Sequence, residues 1–404
     1  MTATPASAPA RAAWIVFAAG VCAALHVGKL PPAIGALQQA LGMTLLQAGF
    51  MLALVQAAGM TAGIAFGVLA DAIGLRRSMI GGLVLLAGAS AAGAAAPGVP
   101  LLLALRAIEG FGFLMVVLPA PGLIRRLVAP ERLSVMLGLW GTYMPLGAAL
   151  GLLTGPLWIT ALGWRSWWAA LALLSAAMAL WLWLGSADGG APRAPAAQAQ
   201  GVRARMSITL GSRGPWLVAI CFALYSSQWL AVIGFLPVIY TSAGVGAGTT
   251  GILTALAAVV NVAGNLSAGR LLQRGAAAPG LLVAGFAVMA LATAAAFGGG
   301  ADTGLPPSLR YIAVLAFSMV GGMIPATLFA LAMRVAPGEQ TVSTTVGWMQ
   351  QWSALGQFAG PPVVAWLAAR AGGWQWTWLA TGAASLAGLL MAGLIAQTLR
   401  RGRA

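Results

Sequence analysis

Four side chains that could do chemistry stand inside apolar runs of the sequence: His26, Lys29, Arg106 and Glu109. Lys29 is the sole lysine in 404 residues. A cation in hydrocarbon costs at least about 2.5–3.5 kcal/mol on insertion scales, so Lys29 is expected to face a polar cavity or an acidic partner. Snorkelling to the headgroups is the alternative. Pro31 and Pro32 follow directly and withdraw two backbone donors, which predicts a kink or break beside the ammonium group. Arg106 and Glu109 stand three residues apart, on one helix face and close enough to pair. At 1.5 Å per residue, Lys29 lies roughly 22 Å along a helix from Trp14. Arg106 lies roughly 10 Å and Glu109 roughly 15 Å in from Val99, so the two cations reach similar depths. His26 is one turn before Lys29 and could sense protons, or serve as a hydrogen-bonded structural histidine. The chemistry implied is anion binding by Lys29 and Arg106, with a proton handled by Glu109 and His26. A structural ion pair that locks helix packing is the competing reading of Arg106 and Glu109.

These residues need helices in a membrane to position them. The chain is 60% hydrophobic and carries 21 Lys and Arg against 6 Asp and Glu, too few charges to solvate a globular surface. Twelve runs are long enough to cross roughly 30 Å of hydrocarbon. They are placed near 14–40, 44–70, 76–96, 99–127, 132–161, 165–186, 214–242, 248–273, 277–299, 308–335, 340–369 and 374–399. The expected fold is therefore all-α and integral to the membrane. It has a cytoplasmic tail (1–13), a six-helix bundle (14–186), a flexible cytoplasmic linker (187–213), a second bundle (214–399) and a short tail (400–404). The linker is rich in Ala, Pro, Gln and Arg. The stretch before Trp14 has no signal-peptide pattern, so the first span is expected to be retained. With both termini inside, Arg11, Arg76, Arg77, Arg125, Arg126 and most others fall on the cytoplasmic side, against Arg165, Arg310 and Arg370 outside.

The halves repeat in sequence. Gly151-x-x-x-Gly155-Pro156 recurs as Gly356-x-x-x-Gly360-Pro361, Pro119 as Pro325, Ala129-Pro130 as Ala336-Pro337, and Gly163-Trp164 as Gly373-Trp374. Several matches in nearly one register imply two bundles related by a pseudo-two-fold axis along the membrane normal.

Between the second and third runs, residues 67–77 read Gly-Val-Leu-Ala-Asp-Ala-Ile-Gly-Leu-Arg-Arg. This closely resembles the loop between the second and third helices of the major facilitator superfamily, Gly-x-Leu-Ala-Asp-x-x-Gly-x-Arg-Arg. The resemblance implies a twelve-helix secondary transporter working by alternating access, with Gly67, Asp71, Gly74, Arg76 and Arg77 as gating residues. The loop has degenerated in the second half, where Gln273 stands at the place of Asp71. Arg106-Ala-Ile-Glu-Gly110-Phe-Gly112 resembles the family's fourth-helix motif, Arg-x-x-x-Gly-x-Gly, whose arginine is linked to proton coupling and substrate access. On the helices that line the family's cavity, Tyr143, Gln228, Trp348, Gln351 and Trp352 are further candidates for substrate binding, although most such groups prove to be packing or interhelical hydrogen bonds. Gly151-x-x-x-Gly155-Pro156 resembles part of the drug-antiporter motif, but Leu157-Trp158 follow where glycines are expected. Its presence in both halves favours plain close packing. Gly28-Lys29-Leu30-Pro31-Pro32 and the fourth and fifth spans are most similar to cyanate- and nitroimidazole-permease-like members.

Soluble chemistry finds little footing. Gly246-x-Gly248-x-x-Gly251 matches a dinucleotide fingerprint formally, but an apolar helix precedes it instead of a strand. One His and two Cys set far apart in apolar runs support neither a metal cluster nor a disulfide framework. The expectation is a transporter and not an enzyme, with no cofactor and no metal. Its partners are a small anion, protons and the lipid bilayer, with no nucleic acid, because the basic residues are scattered through short loops. It is expected as a monomer in a bacterial cytoplasmic (inner) membrane, coupling anion uptake to protons. The rival is a proton-driven exporter of drugs or hydrophobic metabolites.

Overall fold

The computed structural model describes residues 8–61, 73–186, 198–299 and 304–401, and among these every regular element is a helix. Nine described helices are long and apolar enough to cross a membrane. Tyr143–Gly185 counts as two of the expected spans, since Gly163 (φ 81°, ψ 163°) breaks it with a left-handed backbone that a Cβ disfavours. Leu45–Thr61 is the described part of the second span. Val342–Ala371, with 30 residues, is long enough to be the eleventh, although Gln350, Gln351 and Gln357 make it more polar. The protein thus has twelve membrane helices in two six-helix halves.

By contact, the described residues fall into two compact units. One comprises residues up to Gly42, those between Ala62 and Pro195, and Gly246–Ala255. The other comprises Met43–Thr61, Ala196–Val245 and Leu256–Ala404. The contact units therefore exchange short pieces relative to the chain halves.

In the first unit the first span packs along Tyr143–Gly185. The contact is close because Gly147, Gly151 and Gly155 line one face. A Cβ on Gly151 would lie 2.7 Å from the carbonyl carbon of Gly28, and one on Gly155 would lie 2.5 Å from Pro32 Cγ. In the second unit Arg213–Ser242 packs on Val342–Ala371 in the same manner. A Cβ on Gly356 would meet the backbone of Ala223, and one on Gly360 that of Ser227. The repeated Gly-x-x-x-Gly-Pro is therefore a packing device that brings two backbones together.

Prolines set the breaks. The fourth span stops at Val117 and resumes at Ala120 around Pro119, and the tenth is divided at Gly322, three residues before Pro325. Pro119 cannot donate to Met115 O, and Ser78 Oγ donates there instead (3.1 Å). The fifth span, expected as continuous, is Pro130–Trp140 followed by a turn at Gly141–Thr142.

The linker departs from expectation. Where composition suggests a flexible segment, Gln198–Leu210 is a helix that packs on the turn Glu339–Thr341 and on the helices Arg213–Ser242 and Val342–Ala371. Its Ala, Arg, Met and Leu residues are good helix formers. Thr209 is buried, and Trp216 Nε1 donates to Leu210 O (2.8 Å).

Candidate functional site

The predicted break comes directly after Lys29. The helix Ala8–Gly28 ends, a tight turn Pro31–Ala33 follows, and Ile34–Leu41 resumes. Ala33 N bonds Leu30 O in this turn, which leaves Lys29 O without its helical donor. Trp167 Nε1 supplies one (3.1 Å). The break is thus satisfied from the sixth span and held beside the ammonium group.

Lys29 does not snorkel. It is 0% exposed, while Arg106 and Glu109 are each 2% exposed. Of the two environments expected for it, a polar cavity or an acidic partner, the second is realised. Lys29 Nζ donates to Glu109 Oε1 and to Ser90 Oγ (2.9 Å), and it lies 4.8 Å from the centre of the Trp168 ring. Arg106 Nη1 donates to Glu109 Oε2 (2.7 Å) and to the carbonyl of His26 (2.5 Å). His26 Nε2 and Ser175 Oγ are 2.7 Å apart, while His26 Nδ1 lies 3.4 Å from Lys29 Nζ and 3.6 Å from Glu109 Oε1. Ser90 Oγ in turn donates to Trp168 O (3.0 Å).

Four spans, the first, third, fourth and sixth, therefore contribute to one buried cluster, and the first and fourth supply the direct partners of its carboxylate. Glu109 lies between the two cations and gives one oxygen to each. Buried ions persist only when paired and hydrogen-bonded, and this cluster meets both conditions. With lysine and arginine protonated and glutamate ionised, it retains one positive charge in excess.

Ser90, Ser175, Trp167 and Trp168 complete the cluster, and little in the sequence singles them out. A lone serine in a run such as Ala87-Gly-Ala-Ser90-Ala-Ala is the only signal, and it is weak.

The other candidates have partners of their own. Tyr143 stacks on Trp140, with ring centres 4.4 Å apart. Gln228 is buried in the second unit, donating to Leu224 O (2.9 Å) and accepting from Ser385 Oγ (2.8 Å). Trp348 and Trp352 both pack edge-on against Trp216 (4.9 and 5.5 Å), and Gln351 Nε2 donates to Met60 O (2.8 Å). Of the gating set, Gly67 and Asp71 lie outside the described residues. Gly74 (φ 102°) starts the helix Leu75–Ala94 in a conformation that favours glycine. Arg76 donates to Ser186 Oγ (3.1 Å) and to Trp183 O, tying the third span to the end of the sixth. Arg77 is exposed. Among the described residues no group of three His, Cys, Asp or Glu could hold a metal ion.

Residues 16–361 match the profile of the Major Facilitator Superfamily. The chain belongs to this superfamily. Its fold resembles that of a bacterial homolog of the human lysosomal transporter Spinster in an inward-facing, unoccupied conformation. The TM-score is 0.82 at 14% identity, over 98% of this chain and 99% of that one. It also resembles a D-xylose–proton symporter (TM-score 0.71, 15% identity, 95% and 96% covered). The inward-open xylose transporter XylE from E. coli is a third neighbour (TM-score 0.74, 13% identity, 94% of each chain). At such identities the likeness is one of fold. No curated protein matches the sequence. Family and spans together make this a multi-pass membrane protein of a transporter family.

Proposed function

We propose that the protein is a secondary active transporter that takes up a small anion together with a proton by alternating access. The observation that carries this reading is the arrangement of Glu109, Lys29 and Arg106. Of the six carboxylates in the chain, Asp71, Glu131, Asp188, Asp302 and Glu339 lie in or beside the expected loops, and only Glu109 lies deep within a span. In the resting cluster it neutralises one of two cations. A proton on Glu109 removes that negative charge and leaves Lys29 and Arg106 without a counter-ion, so an arriving anion becomes the favourable partner. Conversely, an anion that takes the cations leaves a desolvated carboxylate, which is stable there only when protonated. Each ligand thereby favours the other, which is the condition for coupling. His26, between Ser175 and Glu109, is placed to relay the proton.

Tyr143, Gln228, Trp348, Gln351 and Trp352 remain proposals for contacts with the rest of the substrate. The positive-inside bias supports a bacterial inner-membrane orientation with both termini cytoplasmic, and a monomer is sufficient for the mechanism. The resemblance of Gly28–Pro32 to cyanate- and nitroimidazole-type permeases adds only that the solute is small. One observation favours the exporter reading instead: the aromatic cluster of Trp216, Trp348 and Trp352 suits a hydrophobic solute.

The test is a panel of radiolabelled anions offered to proteoliposomes with and without an inward proton gradient. Accumulation of an anion that requires the gradient supports the proposal. Gradient-driven movement confined to neutral or cationic hydrophobic solutes would favour the exporter.

A further inference from the structure

Within the cluster, Glu109 does more than compensate charge: its side chain ends in the kind of group the two cations are arranged to hold. Lys29 Nζ approaches one carboxylate oxygen and Arg106 Nη1 the other, at 2.7 Å. Two donors that address two separate oxygens of one planar group set a shape requirement as well as a charge requirement. We infer that the transported anion is a monocarboxylate, and that it occupies the place of the Glu109 carboxylate between Lys29 and Arg106. This rests on the proton–anion reading above and names the substrate class within it.

The exchange balances. Glu109 takes one proton and becomes a neutral carboxylic acid, while Lys29 and Arg106 keep theirs. The incoming carboxylate accepts the two donations that Glu109 gives up. A halide can accept from both donors only at one point, whereas Lys29 and Arg106 address two separate oxygens. A dicarboxylate would bring a second charge, and the remaining contacts of the cluster are Ser90, Ser175, the His26 ring and the Trp168 face, none of which is a fixed cation. That second charge would be buried uncompensated at a steep desolvation cost.

The exchange also fixes how voltage acts. The empty cluster holds two cations and one carboxylate. The loaded cluster holds two cations, one substrate carboxylate and a neutral acid. Both carry the same charge, so one proton and one monocarboxylate move per cycle with no net charge transferred.

The experiment uses the purified full-length protein in proteoliposomes under a pH gradient of one unit. Potassium and valinomycin set the membrane potential to zero or to −100 mV, inside negative. The probes are lactate, pyruvate and benzoate, with succinate and oxalate as dicarboxylates, and nitrate, cyanate and chloride as inorganic anions. The expected result is accumulation of a monocarboxylate approaching tenfold at equilibrium, unchanged by the imposed potential. A carrier moving one net charge would shift by roughly fifty-fold per 100 mV. Such a shift, or proton-driven uptake confined to the dicarboxylates or the inorganic anions, would overturn the inference and leave proton–anion coupling standing. Absence of proton-driven accumulation of any probe would overturn both.

Discussion

At the scale of single residues, a buried carboxylate is shared between two cations, and each member can be removed separately. Lys29→Ala and Arg106→Ala are each expected to raise the apparent dissociation constant for the anion more than tenfold, measured by equilibrium binding to purified protein. Lys29→Arg should rescue only in part, because a planar guanidinium does not reproduce the point charge of an ammonium group. Unchanged affinity in both alanine variants would remove these cations from the site. Wild-type affinity should rise as the pH falls, since protonation of Glu109 frees the cations, while the affinity of Glu109→Gln should be flat with pH. Because that variant leaves two buried cations without their carboxylate, Glu109→Asp provides a second reading: it keeps the charge and should retain a pH-dependent affinity. A pH-dependent affinity in Glu109→Gln equal to that of wild type would place the proton elsewhere.

At the scale of elements, the cluster exists because the first span is broken and pressed against the fifth. Trp167→Phe removes the donor to Lys29 O and is expected to cost about 1 kcal/mol of stability, read as a lower Tm in detergent. Gly151→Leu, which drives a side chain into the Gly28 backbone, should cost on the order of 1–3 kcal/mol or more and impair transport as well. A Gly151→Leu protein as stable and active as wild type would mean that this contact does not hold the site. Much of this level was legible in the sequence. Pro31-Pro32 announced the break, and the recurrence of Gly-x-x-x-Gly-Pro announced equivalent close contacts in both halves. The i,i+3 spacing announced the pairing of Arg106 with Glu109, but not that Lys29 takes the second oxygen of the same carboxylate, because the direction in which Lys29 points depends on how the first and fourth spans pack. Ser90 and Ser175 were invisible for a related reason: a single hydroxyl in an alanine-rich helix looks the same whether it holds a lysine, a histidine or nothing. The helix Gln198–Leu210 was missed because composition reports average flexibility and not the few contacts, such as that of Trp216 with Leu210, that hold a helix in place.

At the scale of the whole molecule, transport requires that chemistry at the cluster be tied to alternating access. The sequence around Asp71 resembles the family's gating pattern, and we propose that its carboxylate accepts from helix N-termini and arginines when the cytoplasmic side is closed. Asp71→Asn is therefore expected to bias the protein toward inward-open and to cut transport while expression is kept. Cysteine accessibility on the two faces reports this bias, and identical labelling of variant and wild type would count against a latch. The central claim, that Glu109 couples the proton to the anion, is tested most directly by comparing two assays on Glu109→Gln in proteoliposomes. One follows accumulation of an anion under an imposed proton gradient, and the other follows counterflow of the same anion at equal pH. Accumulation is expected to vanish while counterflow persists. Undiminished pH-driven accumulation in that variant would contradict it.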